Sequence, residues 1–194
     1  MIEIIYIAIY YYVHSFFNEI VQKTGHLYYN KNNIDTVHDF FHELLPDWSH
    51  KEYMVNIIGF VSLMPFIMTD MDIKTRFIGM IVVVYLIRDI TINLTILPKH
   101  EKCKKSISKI YENIVGGCYD KIFSGHFSIV YLLSLFYYSY GIITNIPVLV
   151  GWNILNAFLI LITRSHYSID IVMAFFVCSF VFTNDIRIPI PKIV

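Results

Sequence analysis

Residues 166–183 read His166-Tyr-Ser-Ile-Asp170-Ile-Val-Met-Ala174-Phe-Phe-Val-Cys178-Ser-Phe-Val-Phe-Thr183. Past Asp170 the stretch carries no charge, so it reads as an apolar helix with a histidine and a carboxylate at its head. Working backward, an apolar run over about 147–163 is joined to it by a very short turn at Arg164, Ser165 and His166. Before that lies a run over about 126–143, closed by Gly141 to Asn145. A polar loop over 98–123 holds Lys99, Lys102, Lys104, Lys105 and Lys109. It follows a run over about 77–97 that stops at Pro98, as helices tend to near proline. A charged turn of Asp70, Asp72, Lys74 and Arg76 precedes that run, and a further run covers about 53–69. A polar stretch over 22–50 separates these from a first run over about 2–21. That first run has Glu3 at its head, without a basic leader or a small-residue cleavage site, and is expected to be a retained helix rather than a signal peptide.

Composition agrees with this layout. The 194 residues are 56% hydrophobic and 15% charged, with a mean hydropathy of +0.57. Ordinary soluble domains are roughly 45–50% apolar and 25% charged. A transmembrane helix takes about 20 apolar residues, so six would use roughly 120 of the chain. The expected fold is therefore all-α: a six-transmembrane-helix bundle forming a single polytopic domain over 1–194. A soluble enzyme, a disordered chain and a coiled coil are disfavoured. Fifteen basic residues balance fifteen acidic ones, leaving no field to attract nucleic acid. Three cysteines without a C-x-x-C indicate neither a disulfide framework nor a zinc knuckle.

Counting crossings puts the stretch 22–50, the loop 98–123 and the turn 164–166 on one face of the membrane. Polar residues in apolar spans suggest function, and they gather toward that face. His166 and Asp170, at i and i+4, share a helical face. A carboxylate there can take the proton of one imidazole nitrogen and leave the other as a nucleophile. Ser124-Gly125-His126 opens another helix on the same face. Glycine permits close approach of a ligand, and amides at a helix N-terminus favour an anion. A phosphate could sit between the two histidines.

These segments resemble a known family. Cys118-Tyr-Asp120-Lys-Ile-Phe-Ser124-Gly125-His126 is similar to the C-G-D-x-x-x-S-G-H motif of sphingomyelin synthases, and His166-Tyr-Ser-Ile-Asp170-Ile-Val-Met-Ala174 to their H-Y-x-x-D-x-x-x-A motif. Leu45-Pro46-Asp47 resembles the family's L-P-D element. Arg88-Asp-Ile-Thr91-Ile-Asn-Leu-Thr95-Ile-Leu97-Pro98 resembles its R-x-x-T-x-x-x-T-x-L-P element. Together they span about 44–178. The family lies within the lipid phosphate phosphatase superfamily, which shares the two-histidine, one-aspartate centre and, in the six-span layout, the expected fold. Two positions depart from the pattern. Tyr119 stands for the glycine of C-G-D, and Phe127 for the small residue or threonine after the S-G-H histidine; both bear on headgroup and acceptor choice. The phosphatase branch matches less well, because the chain has no Arg-Pro or Ser-Arg dipeptide.

The resemblance implies ping-pong phosphotransfer without a cofactor or metal, with His126, His166 and Asp170 catalytic. His166 would attack the phosphorus of a phospholipid donor such as phosphatidylcholine. His126 would protonate the departing diacylglycerol, and a ceramide-type acceptor would take the headgroup from phosphohistidine. Water as acceptor gives the alternative, a phosphatase or phospholipase-C-like hydrolase; a catalytically idle lipid-binding protein is a third reading. Arg88 leads the candidate phosphate donors, in a stripe with Thr91 and Thr95; pairing with a carboxylate on another span is its equal alternative. Lys121 and Arg164 stand at the rim, and Ser124 and Gly125 are expected against substrate. Asp120 joins the substrate-binding set, with loop capping the other role open to it. Expected partners are the two lipids and the bilayer, with a homo-oligomer compatible and no nucleic acid.

His38-Asp-Phe-Phe-His42-Glu43 could bind zinc through an i, i+4 pair, but its phenylalanines and the following leucines fit an interfacial amphipathic helix better. The resemblance implies residence in the Golgi, endoplasmic reticulum or plasma membrane, with the centre on the lumenal or extracellular side. The positive-inside rule points the other way, with ten Lys and Arg in the loops of the motif face against four opposite.

Overall fold

The computed structural model describes residues 2–32, 37–98, 118–119 and 121–189, and among these residues it is helical without strands. In chain order the helices are α1 (Ile2–Asn32), α2 (Phe40–Leu44), α3 (Tyr53–Ile67), α4 (Met71–Leu94), α5 (Gly125–Ser139), α6 (Ile146–Ile162) and α7 (Ser168–Thr183), with a 3-10 turn at Ser49–Lys51 before α3. Each of the six expected apolar runs becomes a helix, with shifted ends.

α1 continues eleven residues past its apolar run. Its polar second half stays helical through i, i+4 pairs, with Lys23 Nζ 2.8 Å from Glu19 and Asn30 paired with His26. The charged turn expected over 70–76 is instead the first turn of α4. Asp72 there complements the helix dipole, and Arg76 reaches out to Asp185 at 3.0 Å. α4 ends three residues before Leu97, where Thr95 is extended. Pro65 sits in the last turn of α3, which closes at Ile67.

α5 is the central helix and packs against α3, α4, α6 and α7. Val130, Leu133 and Phe136 from it meet Val55, Met80, Val84, Ile160, Ala174 and Cys178 in the main core. α1 packs against α4, and a second cluster joins Val21 and Ile92 to Cys118 and Tyr119. The Tyr119 ring lies on Gly25, where an added Cβ would come within 2.6 Å of it. Tyr119 therefore packs on α1, and a glycine on that helix makes its room.

Among the described residues, Met71–Leu94 is the one helix long and apolar enough to cross a membrane; α6 and α7 are shorter apolar helices of 17 and 16 residues. Apolar side chains face outward on both, including Ile154 and Phe158 on α6 and Phe176 and Phe180 on α7. A helix apolar on every side belongs in a large core or a bilayer.

α5, α6 and α7 end alike, with a left-handed residue after the cap and the paired 6→1 and 5→2 hydrogen bonds that satisfy the last carbonyls. Gly141 takes that position after α5, Arg164 after α6 and Asp185 after α7. Glycine is the usual occupant. At Arg164, φ is 58° on a residue with a Cβ, next to the candidate site.

Candidate active site

Three helix ends converge. Ser124 caps α5, its Oγ accepting the Phe127 N–H at 3.2 Å. The Ser124 N–H in turn donates to the Asp170 carbonyl at 3.2 Å, tying the start of α5 to the first turn of α7. Gly125 leaves room for Tyr85, whose hydroxyl would lie 2.9 Å from a Cβ placed there. At the head of α7 the Tyr167 N–H donates to Asp170 Oδ2 at 2.9 Å, the return half of a capping box. Asp170 is fully buried.

His166 lies between these ends. Its Nδ1 donates to the Lys121 carbonyl at 2.7 Å and stands 3.3 Å from Asp170 Oδ2. A carbonyl oxygen only accepts, so Nδ1 carries the proton, and in the neutral ring Nε2 keeps its lone pair. The Lys121 side chain runs to the Ser165 carbonyl at 2.6 Å. Arg164 donates to the Leu45 carbonyl at 2.7 Å. Left-handed backbone at Arg164 thus turns a buried guanidinium toward the segment that follows α2.

A cavity of about 310 Å³ opens here, with His166, Lys121 and Arg164 in its wall beside Asp39, His42, Glu43 and Asp47. Asp39 caps α2 and also receives the backbone N–H and hydroxyl of Ser168 at 2.7 and 2.8 Å. Burial pushes its carboxyl up, but these hydrogen bonds from Ser168, the His42 N–H and the nearby His42 ring outweigh that and hold it below the usual carboxylate range. His42 Nε2 donates to the His166 carbonyl at 3.0 Å. His38 precedes α2 and pairs with Glu43 at 2.9 Å, so the two histidines of that stretch do not share a helical face. Among the described residues no cluster of three His, Cys, Asp or Glu side chains could hold a metal ion.

Residues 117–186 match the family described as PAP2 superfamily C-terminal. Over that segment the chain is similar to the PAP2 superfamily. A phosphatidylinositol:ceramide inositolphosphotransferase from Oryza sativa subsp. indica is 31% identical over 98 residues, covering 49% of this chain and 30% of that protein. Its counterpart from Oryza sativa subsp. japonica matches to the same extent. The aligned stretch thus spans under a third of either relative.

The expected site residues divide by location. Lys121, Arg164 and His166 line one cavity, with Asp170 beneath and Ser124 bonded to the Asp170 backbone. His126, in the first turn of α5, is outside that cavity's wall; its Nε2 donates to Asn56 Oδ1 of α3 at 2.8 Å. Arg88 is buried and donates through Nε to the Phe123 carbonyl at 2.7 Å, bracing the segment just before Ser124. Thr91 bonds back to the Arg88 carbonyl. Asp120 lies outside the described residues.

Several neighbours went unforeseen. Asp39 and His42 enter the cavity wall, and Asn56 holds His126. Their signal was faint: Asp39 before Phe40-Phe41 is a readable helix cap, whereas Asn56 sits within an apolar run. A buried His14–Asp89 pair at 2.7 Å joins α1 to α4. Cys118 is disulfide-bonded, against the reading of the cysteine count, while Cys178 is free and buried.

Proposed function

We propose that this protein is a membrane phosphotransferase, moving a phospho-headgroup from a glycerophospholipid to ceramide through a phosphohistidine. One observation carries the reading: the His166 imidazole has its Nδ1 proton committed to the Lys121 carbonyl, in a cavity that also holds the Lys121 and Arg164 cations. His166 Nε2 attacks phosphorus, and the N–P bond forms as the P–O bond to diacylglycerol breaks. The leaving oxygen takes its proton from His126. In the second half the primary hydroxyl of ceramide gives a proton to His126 as its oxygen attacks phosphorus. The N–P bond breaks, and His166 returns to its first state. Asp170 stabilises the charged ring, Lys121 and Arg164 face the phosphoryl oxygens, and the α5 amides add their dipole.

The six helices cross the bilayer in this reading, as a multi-pass protein of the Golgi, endoplasmic reticulum or plasma membrane. A disulfide at Cys118, beside the S-G-H segment, favours an oxidising compartment. That agrees with a lumenal or extracellular site and opposes the ten-to-four count of basic residues. Glycan acceptor sites introduced in the loop 98–123 should be modified; if they stay bare while sites near 144 are modified, the orientation is reversed.

The activity is tested with purified full-length protein, labelled phospholipids and ceramide. Phosphatidylinositol comes first among the donors, because both rice relatives are named for it. Labelled sphingolipid and diacylglycerol should form together, and His166→Ala should abolish both. No product from any donor headgroup, or undiminished product from His166→Ala, overturns the proposal.

A further inference from the structure

His166 and His126 are held by opposite ring nitrogens. His166 is held at Nδ1, by the Lys121 carbonyl at 2.7 Å and by Asp170 at 3.3 Å. His126 is held at Nε2, by Asn56 Oδ1 at 2.8 Å. In a neutral imidazole one nitrogen carries the proton and the other a lone pair, and the hydrogen bond made at one decides which. An amide oxygen only accepts, so the proton of His126 sits on Nε2 and its lone pair on Nδ1. His166 is the reverse, with its lone pair on Nε2.

Packing fixes Asn56 in that role. It closes the first turn of α3, and among residues 54–61 it is the one side chain with an amide, hydroxyl or charge. Val55 and Ile58 beside it are buried in the same core as Phe127, the residue after His126. Neither helix can turn about its axis and break the contact without opening that core. A polar group in an apolar span is costly and suggests function, and this one is spent on the S-G-H histidine.

The chemistry of the partner matters as much as its place. Asp170 stands beside the ring that stays cationic while the headgroup is bound to it. Asn56 instead orients its ring without adding a charge. A carboxylate there would stabilise the imidazolium and oppose departure of its proton, whereas a neutral carbonyl leaves the proton transferable both ways. His126 has to give a proton in one half of the reaction and take one in the other.

We propose that Asn56 is the positioning residue of His126: by accepting the Nε2 proton, it makes Nδ1 the atom that exchanges protons with the lipid oxygens. The steps rest on the phosphotransfer reading; the tautomer does not. In the donating state the ring carries both protons. The Nδ1 proton passes to the departing diacylglycerol oxygen, and the ceramide hydroxyl later returns one to Nδ1. The Nε2 proton stays on Asn56 throughout. Nδ1 is bonded to Cγ and so remains close to the first turn of α5, the helix end that favours an anion.

The test begins with ring-¹⁵N-histidine NMR of the full-length protein in nanodiscs. At about pH 8.5, two units above the ordinary histidine pKa of ~6.5, the neutral rings are read. His126→Gln and His166→Ala assign the two signals. His126 should show the Nε2–H tautomer and His166 the Nδ1–H one, and Asn56→Leu should leave His126 a mixture of both. In single turnover, Asn56→Leu should slow diacylglycerol release and headgroup transfer to ceramide alike, about tenfold or more. KM for the donor should hold within about twofold. Asn56→Asp keeps the acceptor and adds a charge, so it should slow diacylglycerol release while transfer to ceramide keeps at least the wild-type rate. A merely structural contact would not separate the two halves. The wild-type spectrum and the near-isosteric Asn56→Asp carry the test should Asn56→Leu fail to fold. Inactive protein with the expected tautomers sinks the phosphotransfer reading and upholds Asn56 as the group that sets the His126 proton. An Nδ1–H ring at His126, a tautomer or rate unchanged by Asn56→Leu, or equal slowing of both halves by Asn56→Asp overturns the proposal.

Discussion

Asp170→Asn tests how the catalytic imidazole is held. The carboxylate oxygen is 3.3 Å from His166 Nδ1 in a fully buried setting. Once His166 becomes cationic in the covalent intermediate, a unit charge pair at that distance interacts by about 5 kcal/mol at an effective dielectric near 20. Not all of this is lost on substitution. The asparagine oxygen can still accept the Tyr167 N–H, and the Lys121 carbonyl at 2.7 Å still holds the Nδ1 proton, so ring orientation and tautomer survive. The remaining loss is about 2–3 kcal/mol, or roughly 30- to 150-fold in the chemical step. Single-turnover formation of labelled diacylglycerol reads that step directly, with KM for the donor expected to hold. A rate within threefold of wild type would refute the charge argument. A loss as complete as that of His166→Ala would refute the role assigned to the Lys121 carbonyl.

Three further outcomes follow from the packing. Gly25→Ala drives a Cβ to within 2.6 Å of the Tyr119 ring and should destabilise the detergent-solubilised protein by about 1–3 kcal/mol, with Tyr119→Ala in the same chain recovering part of the loss in a thermal melt. Arg164→Gly relieves a left-handed backbone by about 1 kcal/mol but loses the charged hydrogen bond to Leu45. Stability should change little while turnover falls at least tenfold, and undiminished turnover would remove Arg164 from the phosphate set. Asp39 has a folded-state pKa below its unfolded one, so its contribution is complete above the unfolded value and fades as pH falls through the folded value. The stability gap between wild type and Asp39→Asn should therefore be constant at neutral pH and close only below the ordinary carboxylate range. A gap that closes between pH 5 and 7 would contradict it.

Helix content and order were legible because apolar runs separated by charged or proline-bearing segments have few other physical solutions. Helix ends were less so. Hydropathy loses α1 near Val21, but the backbone continues to Asn32 because Lys23, His26 and Asn30 satisfy helical neighbours rather than a bilayer. The His166 and Asp170 spacing was readable as a shared face. The Lys121 carbonyl was not, although it is the closer partner of Nδ1, because backbone oxygens in irregular segments leave no mark in side-chain chemistry. Arg88 shows the same blind spot. Its depth in an apolar run signals a buried cation, but nothing in the sequence names the Phe123 carbonyl as its acceptor.

Those carbonyls bear on how the site could work. Lys121 and Arg164 rest on the Ser165 and Leu45 oxygens, and among the described residues neither forms an ion pair. A cation held by a neutral dipole keeps its full charge, and here two such cations share the cavity wall with the Asp39, Glu43 and Asp47 carboxylates. Exchanging a carbonyl for a phosphoryl oxygen also trades a weaker acceptor for a charged one, roughly doubling the hydrogen-bond strength without stranding a buried carboxylate. The carbonyls come from chain that has left regular structure, at the end of α6 and after α2, where backbone oxygens lack helical partners. A bundle whose helix ends meet at one face thus supplies the donors, the acceptors that hold them and the positive ends of α5 and α7, while the apolar helices below need only pack.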